Sequence, residues 1–154
     1  MRGAWVARLF RAALCLSLVE PSLASRASAD DWVYNCQVKV GLAHDSGHVK
    51  GTVNVESFAS CQGNLPEGVT VSAQLQLINV STGEVVGSDS DSAFVEMGDR
   101  NVLVANAASD SCEPGQYQGL AHFSTSPPPG YGFTGRASDV VGAVGHIRCP
   151  YGSL

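Results

Sequence analysis

Beyond its first thirty positions the chain is poor in basic residues. It also has no C-x-x-C pair, no G-x-S-x-G and no apolar run that could span a bilayer. Each absence removes a class of function. After position 29, five Lys and Arg side chains stand against thirteen Asp and Glu, a net charge of −8. Nucleic acid and anionic membrane surfaces both need a cationic footprint, so neither is expected as a partner. Without close cysteine pairs, a structural zinc site lacks its usual ligand spacing. Without G-x-S-x-G, the strained elbow that exposes a nucleophilic serine is missing. The apolar run Ala12 to Val19 is far short of the ~20 residues that a membrane helix requires. No helical period of 3.6 runs anywhere after Asp30.

The opening residues are organised differently. Arg2, Arg8 and Arg11 form a positive leader, Ala12 to Val19 is apolar, and Ala27-Ser28-Ala29 places small residues at both positions that a signal peptidase reads. That order is a secretory signal, expected over residues 1–29 and cleaved before Asp30. Glu20 and Pro21 end the apolar run. Cys15 is poorly set for lipid attachment, since Leu14 directly precedes it and Ala12 occupies the place of the usual leucine. Residues 30–154 then form a single domain.

Removing the leader takes Cys15 with it and leaves Cys36, Cys61, Cys112 and Cys149. An even number of cysteines in a small exported domain reads as disulfides. Three pairings are open. Cys36–Cys61 with Cys112–Cys149 is favoured because each pair then brackets one or two hairpins.

The rest alternates. Val69, Val71, Ala73, Leu75 and Leu77 interleave with Thr70, Ser72, Gln74 and Gln76, the mark of a half-buried antiparallel strand. Similar strands are expected over Trp32–Leu42, Val49–Glu56, Gln116–Phe123 and Val140–Cys149. Val102-Leu103-Val104 reads as a strand covered on both faces. Ser81-Thr82-Gly83 closes a hairpin onto Val85-Val86, and Asp45-Ser46-Gly47 and Gly98-Asp99 supply further turns. The expected fold is all-β, an immunoglobulin-like antiparallel β-sandwich of about seven strands with two disulfides. The antibody hallmark of a tryptophan between two cysteines is missing, because Trp32, the only tryptophan after the leader, precedes Cys36. Pro127, Pro128 and Pro129 cannot lie inside a sheet, since they remove three ladder donors. They make a stiff loop that ends in Gly130-Tyr131-Gly132-Phe133.

Few constellations could carry chemistry. His44, Asp45 and His48 share one turn and could ligate a divalent metal, although the same turn needs its Asp, Ser and Gly for shape. Asp89, Asp91, Glu96 and Asp99 could offer oxygens to Ca²⁺, but the EF-hand spacing fails at Ala93, and Asp89 and Asp91 fit the wet face of a strand. His122 and His146 sit on strands with no readable partner. Tyr131 and Phe133 are the best candidates for recognition, because aromatics on a stiff loop lose little entropy on binding. Asn79-Val80-Ser81 matches an N-glycosylation sequon.

The run Cys112-x-Pro114-Gly115-x-Tyr117-x-Gly119-x-Ala121, then Pro128-Pro129-Gly130-Tyr131, Ser138 and a final Val- and Cys-bearing strand, resembles small secreted proteins common in actinobacteria. Their early Trp and Cys, and a second Cys near a turn like Cys61 to Pro66, are similar too. The resemblance covers most of the chain after the leader and implies export and a β-sandwich. It carries over no catalytic residue. The chain departs from it at Gly132-Phe133 and in its glycine-rich last strand.

The expected protein is therefore secreted, non-enzymatic, monomeric and free of cofactors. It would bind an extracellular or cell-envelope protein or glycan through its loops. The alternative is a small extracellular hydrolase or inhibitor built on the His44, Asp45 and His48 turn. Export has a direct test: protein recovered from culture medium should begin at Asp30 by N-terminal sequencing, and an intact Met1 would refute the leader.

Overall fold

The computed structural model describes residues 33–131 and 135–149. The expected leader, Trp32 and Phe133 lie outside the described residues. Nine strands follow in order: β1 (Tyr34–Val40), β2 (His44–Asp45), β3 (Val53–Gly63), β4 (Val69–Asn79), β5 (Glu84–Val95), β6 (Val102–Ala108), β7 (Gly115–Ser126), β8 (Ala137–Val141) and β9 (Gly145–Ile147). The described chain is all-β and forms two antiparallel sheets. In the first, β3 pairs with β1 and then β2 along one edge and with β6 along the other. In the second, β4 lies between β5 and β7, and the far edge of β7 pairs with β8 and then β9.

The alternation read from the sequence decides which face is buried. Val69, Val71, Ala73, Leu75 and Leu77 of β4 all point into the core, as do Val53, Val55, Ala59 and Cys61 of β3. Tyr117, Ala121 and Phe123 of β7 join them. Each fully buried Val, Leu or Phe stabilises the fold by about 1.5–3 kcal/mol relative to exposure. Gly119 sits on the same inner face, where a Cβ would come 2.4 Å from Val40 Cγ1 and 2.7 Å from Val55 Cγ2. Only a residue without a side chain lets both valines reach β7.

Both disulfides are present. Cys36 and Cys61 face one another across β1 and β3 with Cα atoms 4.1 Å apart. Cys112 joins Cys149, fastening the segment after β9 to the start of the β7 arm. Each cross-link, closing 25 and 37 residues of separation, removes unfolded-state entropy worth about 3–4 kcal/mol.

Several boundaries differ from expectation, for physical reasons. Val49 is exposed in a turn rather than starting a strand. The strand begins at Val53 and continues to Gly63, past the polar residues Ser57 and Ser60 that interrupt the apolar pattern. Buried Ser57 fits because a bulge opens the β3–β6 ladder there: its Oγ accepts the Ala105 N–H at 3.1 Å and donates to the Ala105 carbonyl at 3.3 Å. Val102-Leu103-Val104 is not covered on both faces, as Leu103 is 48% exposed and Val104 is buried. The expected last strand is two strands, β8 and β9, separated by Gly142 and its neighbours and paired in turn with β7. The first strand is shorter than expected, Tyr34–Val40. The hairpin at Ser81-Thr82-Gly83 forms, with Gly83 at φ 71° donating its N–H to Asn79 O at 2.8 Å.

Asp89 and Asp91 were expected on the wet face of a strand. Asp91 is exposed, as expected, although the register sets it across from Ala73, whereas Asp89 is half-buried across from Leu75 on β5, the edge of its sheet. Asp89 uses the position to join the sheets. Its Oδ1 accepts the N–H of Ser90 at 2.9 Å, and its Oδ2 accepts the N–H of Asn106 in β6 at 2.8 Å. The opposite side is joined by Tyr34 Oη and Thr125 Oγ1, 3.1 Å apart.

Tyr117 locks the entry to β7. It is buried, and its hydroxyl donates to the Glu113 carbonyl at 2.9 Å. Burial first, and the Glu113 charge second, raise its pKa above the ordinary 10.0. The unfolded chain therefore gives up this proton at lower pH than the folded one, so stability falls as pH rises from 10.0 through the folded value. Tyr117→Phe should cost about 1 kcal/mol at neutral pH. It should also flatten the alkaline loss, as read from denaturant midpoints measured from about pH 9 to about pH 12.

Candidate functional site

One end of the sandwich is concave. The β3–β4 connection supplies Leu65, Pro66 and Glu67, the start of β4 Thr70, the end of β5 Phe94, the stretch after it Glu96 and Met97, and the segment after β7 Pro128 and Pro129. The cleft encloses about 650 Å³. The sequence places an apolar cleft here for local reasons. Phe94, Thr70 and Ser126 lie in one row across the outward face of β5, β4 and β7. The prolines after Ser126 cannot continue the ladder, so the chain leaves the sheet and stands up as a wall beside that row. Phe94 remains 55% exposed although it is the largest apolar side chain in the cleft.

The floor is held from two sides. Met97 bridges to Cys61, and Gly98 donates its N–H to Cys61 O at 2.8 Å, which ties the end of β5 to the Cys36–Cys61 disulfide. Gly68, at φ 72°, passes so close under β5 that a Cβ would meet Val95 O at 2.5 Å and Phe94 Cζ at 3.0 Å. The aromatic ring is thus seated directly on a glycine.

The loop residues named from the sequence behave differently from one another. Tyr131 packs, half-buried, against the core cluster. Pro128 and Pro129, named only as a stiffener, line the cleft instead. Phe94 carried no signal beyond its place at the end of an apparently polar strand, SDSDSAFV.

A second depression, of about 680 Å³, lies on the outward face of the β5–β4–β7–β8 sheet. Its volume nearly equals that of the end cleft, but no Phe, Tyr, Trp or Pro lines it; Gln74, Gln76, Ser88, Ser90, Leu120 and His122 do. His122, unpartnered in the sequence reading, meets Asp139 here across β7 and β8, Nδ1 to Oδ1 at 2.6 Å. Both side chains are largely exposed. Such a pair orients an imidazole, but hydrolysis also needs a nucleophile bonded to it. Among the described residues no serine hydroxyl is bonded to His122, and the Ser72 and Ser92 hydroxyls lie 2.8 Å from each other.

The metal candidates do not assemble. His44 Nδ1 lies 3.0 Å from Leu42 O. Asp45 points away, its Oδ1 3.3 Å from Cys112 Sγ. His48 lies beyond β2, in an exposed turn. Asp91 binds the N–H of Ser92, Asp99 Oδ2 accepts the N–H of Glu96 at 3.3 Å and Asp89 Oδ2 accepts the N–H of Asn106, so three of the calcium candidates bind backbone and do not converge with Glu96 as a ligand group. Among the described residues, the one group of three metal-capable side chains with ligand atoms within 4.8 Å of one another is Asp45, Cys112 and Cys149. Both of its sulfurs are in a disulfide and have no thiolate to offer.

If the cleft depends on Gly68, Gly68→Ala should lose about 1–3 kcal/mol by overpacking against the Val95 carbonyl. It should also move the ring-proton resonances of Phe94. Unchanged Phe94 shifts would show that the ring is seated by something else. No protein-family model matches the chain, and no curated protein is significantly similar to it in sequence.

Proposed function

We propose that the protein is an exported, non-enzymatic binding module that receives its partner in the end cleft. The observation that carries this reading is the lining: Phe94, Met97, Leu65 and three prolines around about 650 Å³ of open space. Ligand sites are typically concave, largely apolar and of about 300–1,000 Å³. Export is supported by the N-terminal charge and apolar pattern, by the two disulfides, which suit an oxidising compartment, and by the resemblance to small secreted actinobacterial proteins. Among the described residues no helix is long and apolar enough to cross a membrane. The Tyr117 hydroxyl bonded to a carbonyl four residues upstream supports an immunoglobulin-like reading of the sandwich, in which a corner tyrosine makes such a contact.

The test is a map of backbone amide shifts in the isotope-labelled protein, titrated with a panel of short peptides and oligosaccharides. Binding at the end cleft should perturb residues 65–70 and 94–97, and Phe94→Ala should weaken it by about tenfold, as for an aromatic anchor. Perturbation confined to Gln74, Ser90 and His122 would move the site to the outward sheet face and overturn the reading.

A further inference from the structure

Resting on that reading, we propose that the end cleft takes an extended cationic peptide, which sets an apolar side chain on Phe94 and its Lys or Arg heads against Glu67 and Glu96. Both glutamates line the cleft, and no basic residue does. They stand side by side, Glu67 before β4 and Glu96 after β5, where a Cβ on Gly68 would lie 3.0 Å from Glu96 Cα, so they form one acidic rim beside Phe94.

Neither carboxylate is neutralised from within. Among the described residues neither glutamate has a cationic partner, and the ion pair of His122 with Asp139 lies on the outward sheet face. Asp99 accepts the N–H of Glu96 with its own carboxylate, which leaves the Glu96 side chain outside that bond. Both glutamates are exposed, and a cation that reaches them displaces no internal partner. The wider field acts in the same direction, since the chain after position 29 carries thirteen acidic side chains to five basic ones. An acidic cleft in an acidic molecule draws cations and repels acidic ligands before contact.

The apolar part of the cleft argues for a peptide over a free polyamine. Carboxylates alone would suit any cation. Phe94, Met97 and Leu65 between them reward a ligand that carries methyl or aromatic groups beside its charges. Pro128 and Pro129 add a wall with no N–H to offer, so side-chain packing rather than strand addition holds the ligand on that side.

The experiment is fluorescence anisotropy with the mature protein and two labelled peptides of the same length. One alternates lysine with leucine, and the other replaces every lysine by glutamate. The lysine peptide should bind, and the double variant Glu67→Gln/Glu96→Gln should weaken it about tenfold in low salt, where a charge contact is least screened. That difference should shrink at high salt, and Phe94→Ala should weaken binding at both salt levels. Thermal melts of both variants establish that they fold, as expected for exposed positions. Equal binding of the two peptides, or no effect of the double variant, overturns the cationic assignment. If only the glutamate peptide binds, and Phe94→Ala releases it, the cleft stands as a binding site and the charge class is wrong. Failure of both peptides overturns the peptide assignment, while the amide-shift map decides the cleft independently.

Discussion

The fold depends on how closely its two sheets approach across β7. Gly119 is where that approach is tightest, with Val40 and Val55 occupying the space a side chain would need. Two residues earlier, Tyr117 fills the core with a ring and satisfies its hydroxyl locally on Glu113. Large and absent side chains thus alternate on one strand, which lets Val40 of β1 and Val55 of β3 settle directly against β7. Because β4 and β8 are registered on β7, the position of nearly every strand in the second sheet follows from that contact.

The open sides of a two-sheet sandwich are its weakness, since edge strands present unpaired backbone groups. Here side chains close part of each side. The Asp89 carboxylate spans β5 and β6, and its two oxygens satisfy one N–H from each strand. Such charge-assisted bonds are worth more than neutral ones. On the other side Tyr34 and Thr125 meet, and Thr125 Oγ1 also accepts the Arg136 N–H at 3.1 Å. The disulfides work on a different term. They restrict the unfolded chain and add cohesion where a small core is limited.

What could be read in advance follows from which signals are local. The β4 alternation, the Ser81-Thr82-Gly83 hairpin, the proline break and the cysteine pairing are all legible because each rests on residues near in sequence or on spacing alone. Where strand and sequence pattern differ, distant partners are involved. Ser57 looks like a strand breaker until Ala105 is seen to use its hydroxyl. Asp89 looks solvated until Asn106 arrives from β6. His122 has no meaning without Asp139, seventeen positions away. The end cleft was invisible for the same reason. Its lining comes from three separate stretches of chain, and Phe94 follows a Ser-Asp repeat that reads as surface.

The cleft is also a product of the constraints that build the sandwich. β4 must begin at Val69 to place its apolar residues inward, and the tight turn before it brings Gly68 beneath Phe94. β7 must stop at Ser126, because the next three residues cannot donate to a ladder. The end of β5 is pinned by Met97 and Gly98 to Cys61. These three terminations fall at one end of the molecule, so the outward row of Phe94, Thr70 and Ser126 loses its neighbours there and gains a proline wall instead. An exposed aromatic in such a place has no structural debt to discharge. Its ring buries no core, and Phe94 is more exposed than any inward-facing residue of its strand's partner, β4. The same terminations that fix Val95 in the core therefore leave the ring at 94 standing over Gly68 at the mouth of the cleft.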